Sequence, residues 1–112
     1  MQTEQLVTFC QEKLEDMKAR DIEIMDVRNK STITDFMIVC SGNSKTHVKA
    51  IAQNVEVEAK RAEQQPLGIE GAEFGEWVVV DLSSVVVHVM LDAQRDFYQL
   101  EKLWGQDSPS AE

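Results

Sequence analysis

The sequence predicts an α/β fold in which a mixed sheet of four to five strands is covered by helices on one face. Helical and strand-like apolar patterns alternate along the chain in the order helix, strand, strand, helix, strand, strand, helix. The segment 76–90, EWVVVDLSSVVVHVM, has the pattern of two short strands joined by a serine turn. A chain of 112 residues has the length of one domain.

The first half of the chain is predicted to contain a helix, two strands and a second helix. The first helix spans residues 3–20, where apolar residues recur at spacings of three and four. Residues 21–27 predict a strand whose broken alternation indicates a bulge. Residues 35–41 follow a polar turn and contain the run FMIVC, which is typical of a strand buried on both faces. Ser44 is expected to cap a helix over residues 45–63.

The second half is predicted to contain the hairpin and a last helix. A right-handed crossover is expected to connect the 35–41 strand, through the long helix, to the strand that begins at Trp77. Asp92 is expected to cap the last helix. The apolar residues of that helix are Phe97, Leu100, Leu103 and Trp104. We expect one domain over residues 1–104 and a disordered polar tail over 105–112.

The hairpin is expected to have two faces of different character, because side chains alternate along a strand. One face carries only aliphatic residues: Val78, Val80, Leu82, Val85, Val87, Val89 and Leu91. If that face packs on helices, the other face exposes Trp77, Val79, Asp81, Val86, His88 and Met90. A small protein seldom leaves such a patch in water unless a partner covers it. The hairpin is therefore predicted to be a binding surface.

The charge distribution indicates which kind of partner this surface would bind. The chain has 20 acidic residues against 11 basic ones, a formal net charge of −9. Direct nucleic-acid binding needs Lys and Arg to neutralise phosphates, so this balance argues against it. No basic residue lies between Arg61 and Arg95, whereas six acidic residues do. The electrostatic complement of the hairpin is a basic protein surface; a generic solubilising charge is the alternative interpretation.

Several further classes are not favoured. The longest apolar runs are far too short to span a bilayer, which argues against a membrane protein. The N-terminal stretch MQTEQ lacks the basic and apolar regions of a secretion signal. Cys10 and Cys40 fall within a predicted helix and a predicted strand, so we expect two reduced, partly buried thiols. A cytoplasmic location is the expectation that follows.

Residues 41–44, Ser-Gly-Asn-Ser, form the one segment that suggests an enzyme. A loop between a strand and a helix can bind phosphate, but a nucleotidyltransferase also needs two or three carboxylates for its metal ions. A second carboxylate on the same strand face as Asp81 would replace Val79 or Ser83, and neither is acidic. A lone Asp35 does not substitute for it. We therefore interpret residues 41–44 as a capped turn and expect no catalytic residue, cofactor or metal.

Five blocks of the sequence together carry a family resemblance. They are DIEIMDV, STITDFMIVCSGNSKTHVKAIA, the pair Glu70-Gly71, EWVVVDLSSVVVHVM and RDFYQLEKLW. In this order and spacing, from about Leu6 to Trp104, the chain resembles the Iojap family, the bacterial ribosomal silencing factors (RsfS). The resemblance covers nearly the whole chain, so it is far more specific than one short motif.

The resemblance implies a nucleotidyltransferase-like fold without the transferase active site. It also implies a partner: the large ribosomal subunit, bound through the small basic ribosomal protein numbered fourteen on the face that meets the small subunit. A factor docked there obstructs subunit joining and lowers translation when nutrients are scarce or growth stops. The expected mechanism is steric exclusion, in which no covalent bond is made or broken.

Eight residues are predicted to contact the partner: Glu70, Trp77, Val79, Asp81, Leu82, Val86, His88 and Met90. Alternatives remain open for three of them. Trp77 lies in the core if the strand parity is reversed, His88 could be a buried histidine satisfied by the backbone, and Asp81 could serve only the turn. Residues 98–104 are interpreted as core packing rather than interface, with contact of Lys102 and Trp104 at the edge of the interface as the alternative.

Other functions and states remain compatible with the same surface. A large-subunit assembly factor would use the same contact, and a nucleotidyltransferase-like enzyme acting through Ser44 and Asp81 is the remaining alternative. The apolar hairpin could also pair with a second copy, giving a homodimer in the free protein.

Overall fold

The computed structural model describes residues 1–105, with side chains through residue 103. It contains helices α1 (Thr3–Asp16), α2 (Lys45–Arg61) and α3 (Asp92–Tyr98), and strands β1 (Arg20–Asp26), β2 (Phe36–Gly42), β3 (Gly68–Glu70), β4 (Trp77–Asp81) and β5 (Val85–Leu91). A π-helical turn, Glu101–Gly105, follows α3. Apart from the backbone of Gly105, the predicted disordered tail lies outside the described residues, so the division into domain and tail stays a prediction.

The strands form one mixed sheet in the order β1-β2-β5-β4-β3. Strands β2 and β5 are parallel, and every other neighbouring pair is antiparallel. The predicted α/β class with a mixed sheet is confirmed. The predicted crossover from β2 to the Trp77 strand is wrong, because the chain leaving α2 first forms β3. Strand β4 is antiparallel to β5, and β5 is parallel to β2, so β4 runs antiparallel to β2 and a parallel crossover does not connect them.

Helices α1 and α2 cover one face of the sheet and create the main core. Each helix buries a stripe of small and aliphatic residues, among them Leu6, Cys10, Leu14, Val48, Ile51 and Val55. As predicted, Ser44 caps α2: its Oγ accepts a hydrogen bond from the backbone N–H of His47 at 3.1 Å. Helix α1 ends at Asp16, earlier than expected, because Lys18 adopts a left-handed conformation with φ 61°.

Strands β1 and β2 lie close to where the sequence predicted them, and they have the predicted bulge and the predicted burial. The register of β1 against β2 shifts between Arg20 and Glu23, which confirms the predicted bulge. Strand β2 lies between β1 and β5 and is buried along almost its whole length, as the run FMIVC predicts.

The C-terminal segment departs most from the prediction. The last helix stops at Tyr98, because Gln99 adopts a left-handed conformation with φ 52°. Leu91, not Asp92, occupies the N-cap position, and no side chain caps the helix. Leu103 lies in the segment 98–104 that was interpreted as core packing, but it is 68% exposed. Phe97, predicted only as an apolar residue of the last helix, is 79% exposed.

Leu100, by contrast, is buried on the sheet face opposite α1 and α2. It packs there in a second apolar cluster that contains Met25, Val27, Met37, Val39 and Met90. The expectation of helices on a single face is therefore incomplete: the residues after α3 cover part of the second face. These residues leave the second face uncovered beside β4, within the hairpin that β4 and β5 form.

Gly71 shapes the connection between β3 and β4. It has a φ of 85°, and a Cβ atom at this position would overlap the carbonyl oxygen of Trp77. Its own carbonyl accepts hydrogen bonds from the N–H groups of Phe74 and Gly75, at 3.2 and 3.1 Å. The loop thus sets where β4 begins, and only glycine fits there.

We predict that Gly71→Ala lowers the free energy of unfolding by about 2 kcal/mol or more, since it adds both left-handed strain and an overlap with Trp77. Urea unfolding monitored by far-UV circular dichroism measures this loss. The matched control is Gly68→Ala in β3, where an added Cβ meets no atom within 4 Å. Equal stability of the two variants would contradict the role assigned to Gly71.

Candidate functional site

The alternate residues of the hairpin face the two sides of the sheet that the sequence predicted for them. The aliphatic set Val78, Val80, Leu82, Val85, Val87 and Val89 is buried in the core beneath α1 and α2. On the opposite side, cross-strand partners bring Glu70 beside Val79 and Asp81 beside Val86. We call the surface formed by Glu70, Trp77, Val79, Asp81 and Val86 the open face. Its valines and Trp77 are partly exposed, and Glu70 is exposed.

Three of the predicted contact residues do not line this surface: Leu82, Met90 and His88 are all buried. Leu82 is 1% exposed because it continues the helix-facing row of β4 into the turn. Met90 is fully buried because it lies in the second cluster with Leu100, and Trp77 packs against that cluster. The prediction that Met90 is exposed, and the inclusion of Leu82, were therefore wrong. Neither side chain is available to a partner in this conformation.

Trp77 is held in place by His88 on the neighbouring strand. The indole Nε1–H donates a hydrogen bond to His88 Nδ1 at 3.0 Å. An indole can only donate, so Nδ1 carries no proton and the neutral imidazole is protonated on Nε2. Trp77 is thus neither a core residue nor a freely rotating surface residue: its ring is partly exposed in one fixed orientation.

His88 is a buried residue, 9% exposed, which agrees with the alternative considered for it. Its partner is the indole of Trp77 and not the backbone. Burial lowers the pKa of His88 from 6.5 to about 4, because the charged imidazolium loses its hydration. Its Nε2 has no hydrogen-bond partner among the described residues. His88 therefore supports the open face from below and does not line it.

Asp81 stabilises the turn between β4 and β5. Its Oδ1 accepts a hydrogen bond from the backbone N–H of Ser83 at 2.9 Å, and Ser83 has a φ of 74°. This contact is the turn role considered as an alternative for Asp81. It engages one carboxylate oxygen, and the side chain is partly exposed. Asp81 thus adds negative charge to the edge of the open face while it also fixes the turn.

Two aromatic residues beside the open face were missed by the sequence interpretation. Tyr98 is 49% exposed, and its ring centroid lies 4.6 Å from that of Trp77. Phe97, 79% exposed, meets Tyr98 edge-on at 4.9 Å. The view of residues 98–104 as core packing is therefore wrong for Tyr98. The adjacency of Phe97 and Tyr98 was the available signal, because consecutive helical residues do not share one face.

In the turn over residues 41–44, Gly42, Asn43 and Ser44 all contact other residues of the chain. A Cβ atom at Gly42 would lie 2.7 Å from Val48 Cγ2, and the Asn43 side chain accepts a hydrogen bond from Arg20 Nε at 2.6 Å. Ser44 is occupied in capping α2. These contacts support the interpretation of the segment as a capped strand-to-helix turn.

The described residues hold few other groups with a chemical role. They contain no group of three or more His, Cys, Asp or Glu side chains placed to bind a metal ion. Burial raises the pKa of both the Cys10 and the Cys40 thiol to about 12, so both are protonated at neutral pH. In this part of the chain, no helix has the length and apolar character needed to cross a membrane.

The lowered pKa of His88 predicts a stability that depends on pH. The unfolded state binds a proton near pH 6.5 and the folded state only near 4, so the folded state is fully favoured above pH 6.5 and loses stability as the pH falls towards 4. The expected loss attributable to His88 is about 2 kcal/mol at pH 5. His88→Gln can still accept from Trp77 but does not titrate, so it is the control. Urea unfolding at pH 7.5 and pH 5 should show a smaller drop for the variant; equal drops would contradict the assignment.

Comparison with known proteins agrees with the resemblance. All of residues 1–112 match the family described as "RsfS: Ribosomal silencing factor during starvation". A Haemophilus influenzae protein named "Ribosomal silencing factor RsfS" is 48% identical over 100 residues, covering 89% of this chain and 98% of that protein. A mouse protein named "Mitochondrial assembly of ribosomal large subunit protein 1" is 36% identical over 89 residues, covering 77% of this chain and 39% of that protein.

The fold is shared with a solved structure. A crystal structure of a Chromobacterium violaceum protein superposes with a TM-score of 0.92 at 44% sequence identity, covering 96% of this chain and 91% of that chain. A family match over the full length, with relatives of this identity, leaves one conclusion. The chain belongs to the RsfS family of ribosomal silencing factors.

Proposed function

We propose that this protein docks its open face on the basic ribosomal protein numbered fourteen of the large ribosomal subunit and, by occupying the intersubunit face, blocks joining of the small subunit. Translation then falls in starvation or stationary phase. The observation that carries the proposal is the open face itself, a partly exposed apolar surface with acidic residues at its edge. Membership of a family of ribosomal silencing factors supports it.

The arrangement of the open face suits a protein partner. Aromatic residues held in place by their neighbours are common anchors of protein interfaces, since little side-chain entropy is lost on binding. Trp77 is such an anchor because His88 fixes its ring. Val79 and Val86 are neighbouring apolar contacts, and Glu70 and Asp81 contribute negative charge beside them. A partner with Lys or Arg around an apolar centre complements this pattern.

The proposed mechanism is steric and takes place in the cytoplasm, where subunits join. The open face offers shape and charge, and the described residues hold no group of three or more His, Cys, Asp or Glu side chains placed to bind a metal ion. Binding alone is sufficient, because two bodies cannot occupy the same subunit surface. Silencing would then last as long as the factor stays bound.

Assembly of the large subunit is the second candidate function. The name of the mouse relative, "Mitochondrial assembly of ribosomal large subunit protein 1", favours it. The same contact would serve both roles, so the two differ in which particle is bound. Binding to immature particles alone would favour assembly, whereas binding to mature subunits with loss of joining would favour silencing.

We predict that Trp77→Ala weakens binding to the large subunit by roughly 2 kcal/mol or more, because it removes the aromatic anchor. Purified subunits are sedimented through sucrose gradients with wild type or variant at a magnesium concentration that supports joining. Wild type should co-sediment with the large subunit and reduce the joined ribosome, and the variant should do neither.

The control for this experiment is Val57→Ala, which removes a 45% exposed apolar side chain from α2, on the helix-covered side of the sheet. It should behave as wild type. Circular dichroism under the gradient conditions is used to check that Trp77→Ala is folded. A wild-type protein that leaves subunit joining unchanged would contradict the silencing mechanism, and absence of binding would contradict the docking proposal.

Charge reversal separates the acidic contribution of the open face from the net charge of the molecule. Glu70→Lys places a cation beside Val79 and should weaken binding about tenfold at low salt, with a smaller effect at high salt. Glu12→Lys makes the same change of charge on α1, where the residue is also exposed. Binding is measured at two ionic strengths. Equal weakening by both variants would assign the effect to net charge and not to the open face.

A further inference from the structure

The open face continues beyond the hairpin onto the end of α3. We propose that Phe97 and Tyr98 form an arginine-binding extension of this face, on which a guanidinium group of the same protein partner stacks. The inference rests on the proposed function, since it assigns a second contact to the same docking event.

Four rings form a continuous row from the sheet to the molecular surface. His88 lies 5.9 Å from Trp77, Trp77 lies 4.6 Å from Tyr98, and Tyr98 lies 4.9 Å from Phe97, measured between ring centroids. Exposure rises along the row, from 9% at His88 to 49% at Tyr98 and 79% at Phe97. A partner that covers Trp77 therefore meets Tyr98 directly, and Phe97 next to it.

The backbone that carries Phe97 and Tyr98 is held in place by its contacts at the end of α3. The left-handed Gln99 ends α3, and its N–H donates to the carbonyl oxygen of Arg95 at 2.9 Å. One residue further, Leu100 is buried in the second cluster. The chain is thus anchored on both sides of Phe97 and Tyr98. Two large rings held in water on an anchored helix end contribute little to the core, which is the usual condition of residues kept for recognition.

The nearest arginine of the chain does not compete for these rings. Arg95 is 9% exposed; its Nε donates to Glu101 at 2.9 Å and its Nη1 to Ser41 Oγ at 2.9 Å. Its guanidinium is therefore engaged away from the surface. Glu101 is paired with Arg95, and the exposed Asp96 is the acidic counterpart of the exposed Lys102, so the charges around the end of α3 balance. The π faces of the two exposed rings are therefore what favours an incoming cation.

Arginine suits this surface better than lysine. The guanidinium is planar and weakly hydrated, so it stacks on an aromatic face while its edge donates hydrogen bonds to a carboxylate. A lysine ammonium is a compact, strongly hydrated charge and gains less from an exposed ring. Two adjoining exposed rings set edge to face present an extended aromatic surface on which the plane of one guanidinium can stack.

The test compares variants that lose the rings with variants that keep them. Phe97→Leu and Tyr98→Leu retain an apolar side chain but remove the π face; each should weaken binding to purified large subunits about fivefold or more. Phe97→Tyr and Tyr98→Phe retain a ring and should bind within about twofold of wild type. Leucine variants that bind as wild type does, while Trp77→Ala loses binding, would overturn this inference and leave the proposed function intact. Absence of wild-type binding would overturn both.

A second measurement tests the assignment to arginine. A short glycine peptide carrying two arginines is titrated into the protein, and the ring resonances of Phe97 and Tyr98 are followed by NMR, with a lysine peptide of equal length as the control. Larger shifts with the arginine peptide support the inference, and equal shifts overturn it. Sedimentation of the free protein completes the test: a dimer that Phe97→Leu dissociates would assign the rings to a second copy of the chain and overturn the inference.

Discussion

Alternation of side chains along β4 and β5 is the constraint on which the rest of the structure depends. Burial of the aliphatic set of the hairpin beneath α1 and α2 removes six side chains from water at once. Burying each of them contributes about 1.5–3 kcal/mol, so a slip of one residue would be too costly to occur. The same constraint directs Trp77, Val79 and Val86 to the opposite face. The open face is thus a geometric consequence of how the core is packed.

The sheet face opposite α1 and α2 has a buried part and a partly exposed part. Near β1 and β2, Leu100 closes an apolar cluster that includes Met37 and Met90. Near β4, no comparable apolar segment packs on the sheet among the described residues, and the surface is partly exposed. The bond between Trp77 and His88 lies at the boundary of these two regions. It joins the second apolar cluster to the open face, so the exposed ring of Trp77 is supported by the folded core.

The contacts of the helices and of the aliphatic face of the hairpin lie on the other side of the sheet from the open face. Two residues of the open face also take part in the fold, since Asp81 accepts a hydrogen bond in the β4–β5 turn and Trp77 packs against the second apolar cluster. An exposed apolar surface carries a risk of association, which the formal net charge of −9 lowers by repulsion between copies. The same charge would attract the basic partner that we propose.

The sequence by itself determined the α/β class, the main helices, the bulge in β1, the cap at Ser44 and the parity of the hairpin, because each follows from local periodicity or local hydrogen bonding. Only the tertiary structure decided the position of β4 in the sheet, the burial of Met90 and the exposure of Phe97 and Tyr98. These depend on contacts between segments distant in sequence. A short β3 forms between α2 and β4, and the left-handed Gln99 ends α3 at Tyr98, before the predicted helix would reach Leu103. A local sequence pattern predicts which face of a helix or strand is apolar, but it does not predict which distant segment packs against that face.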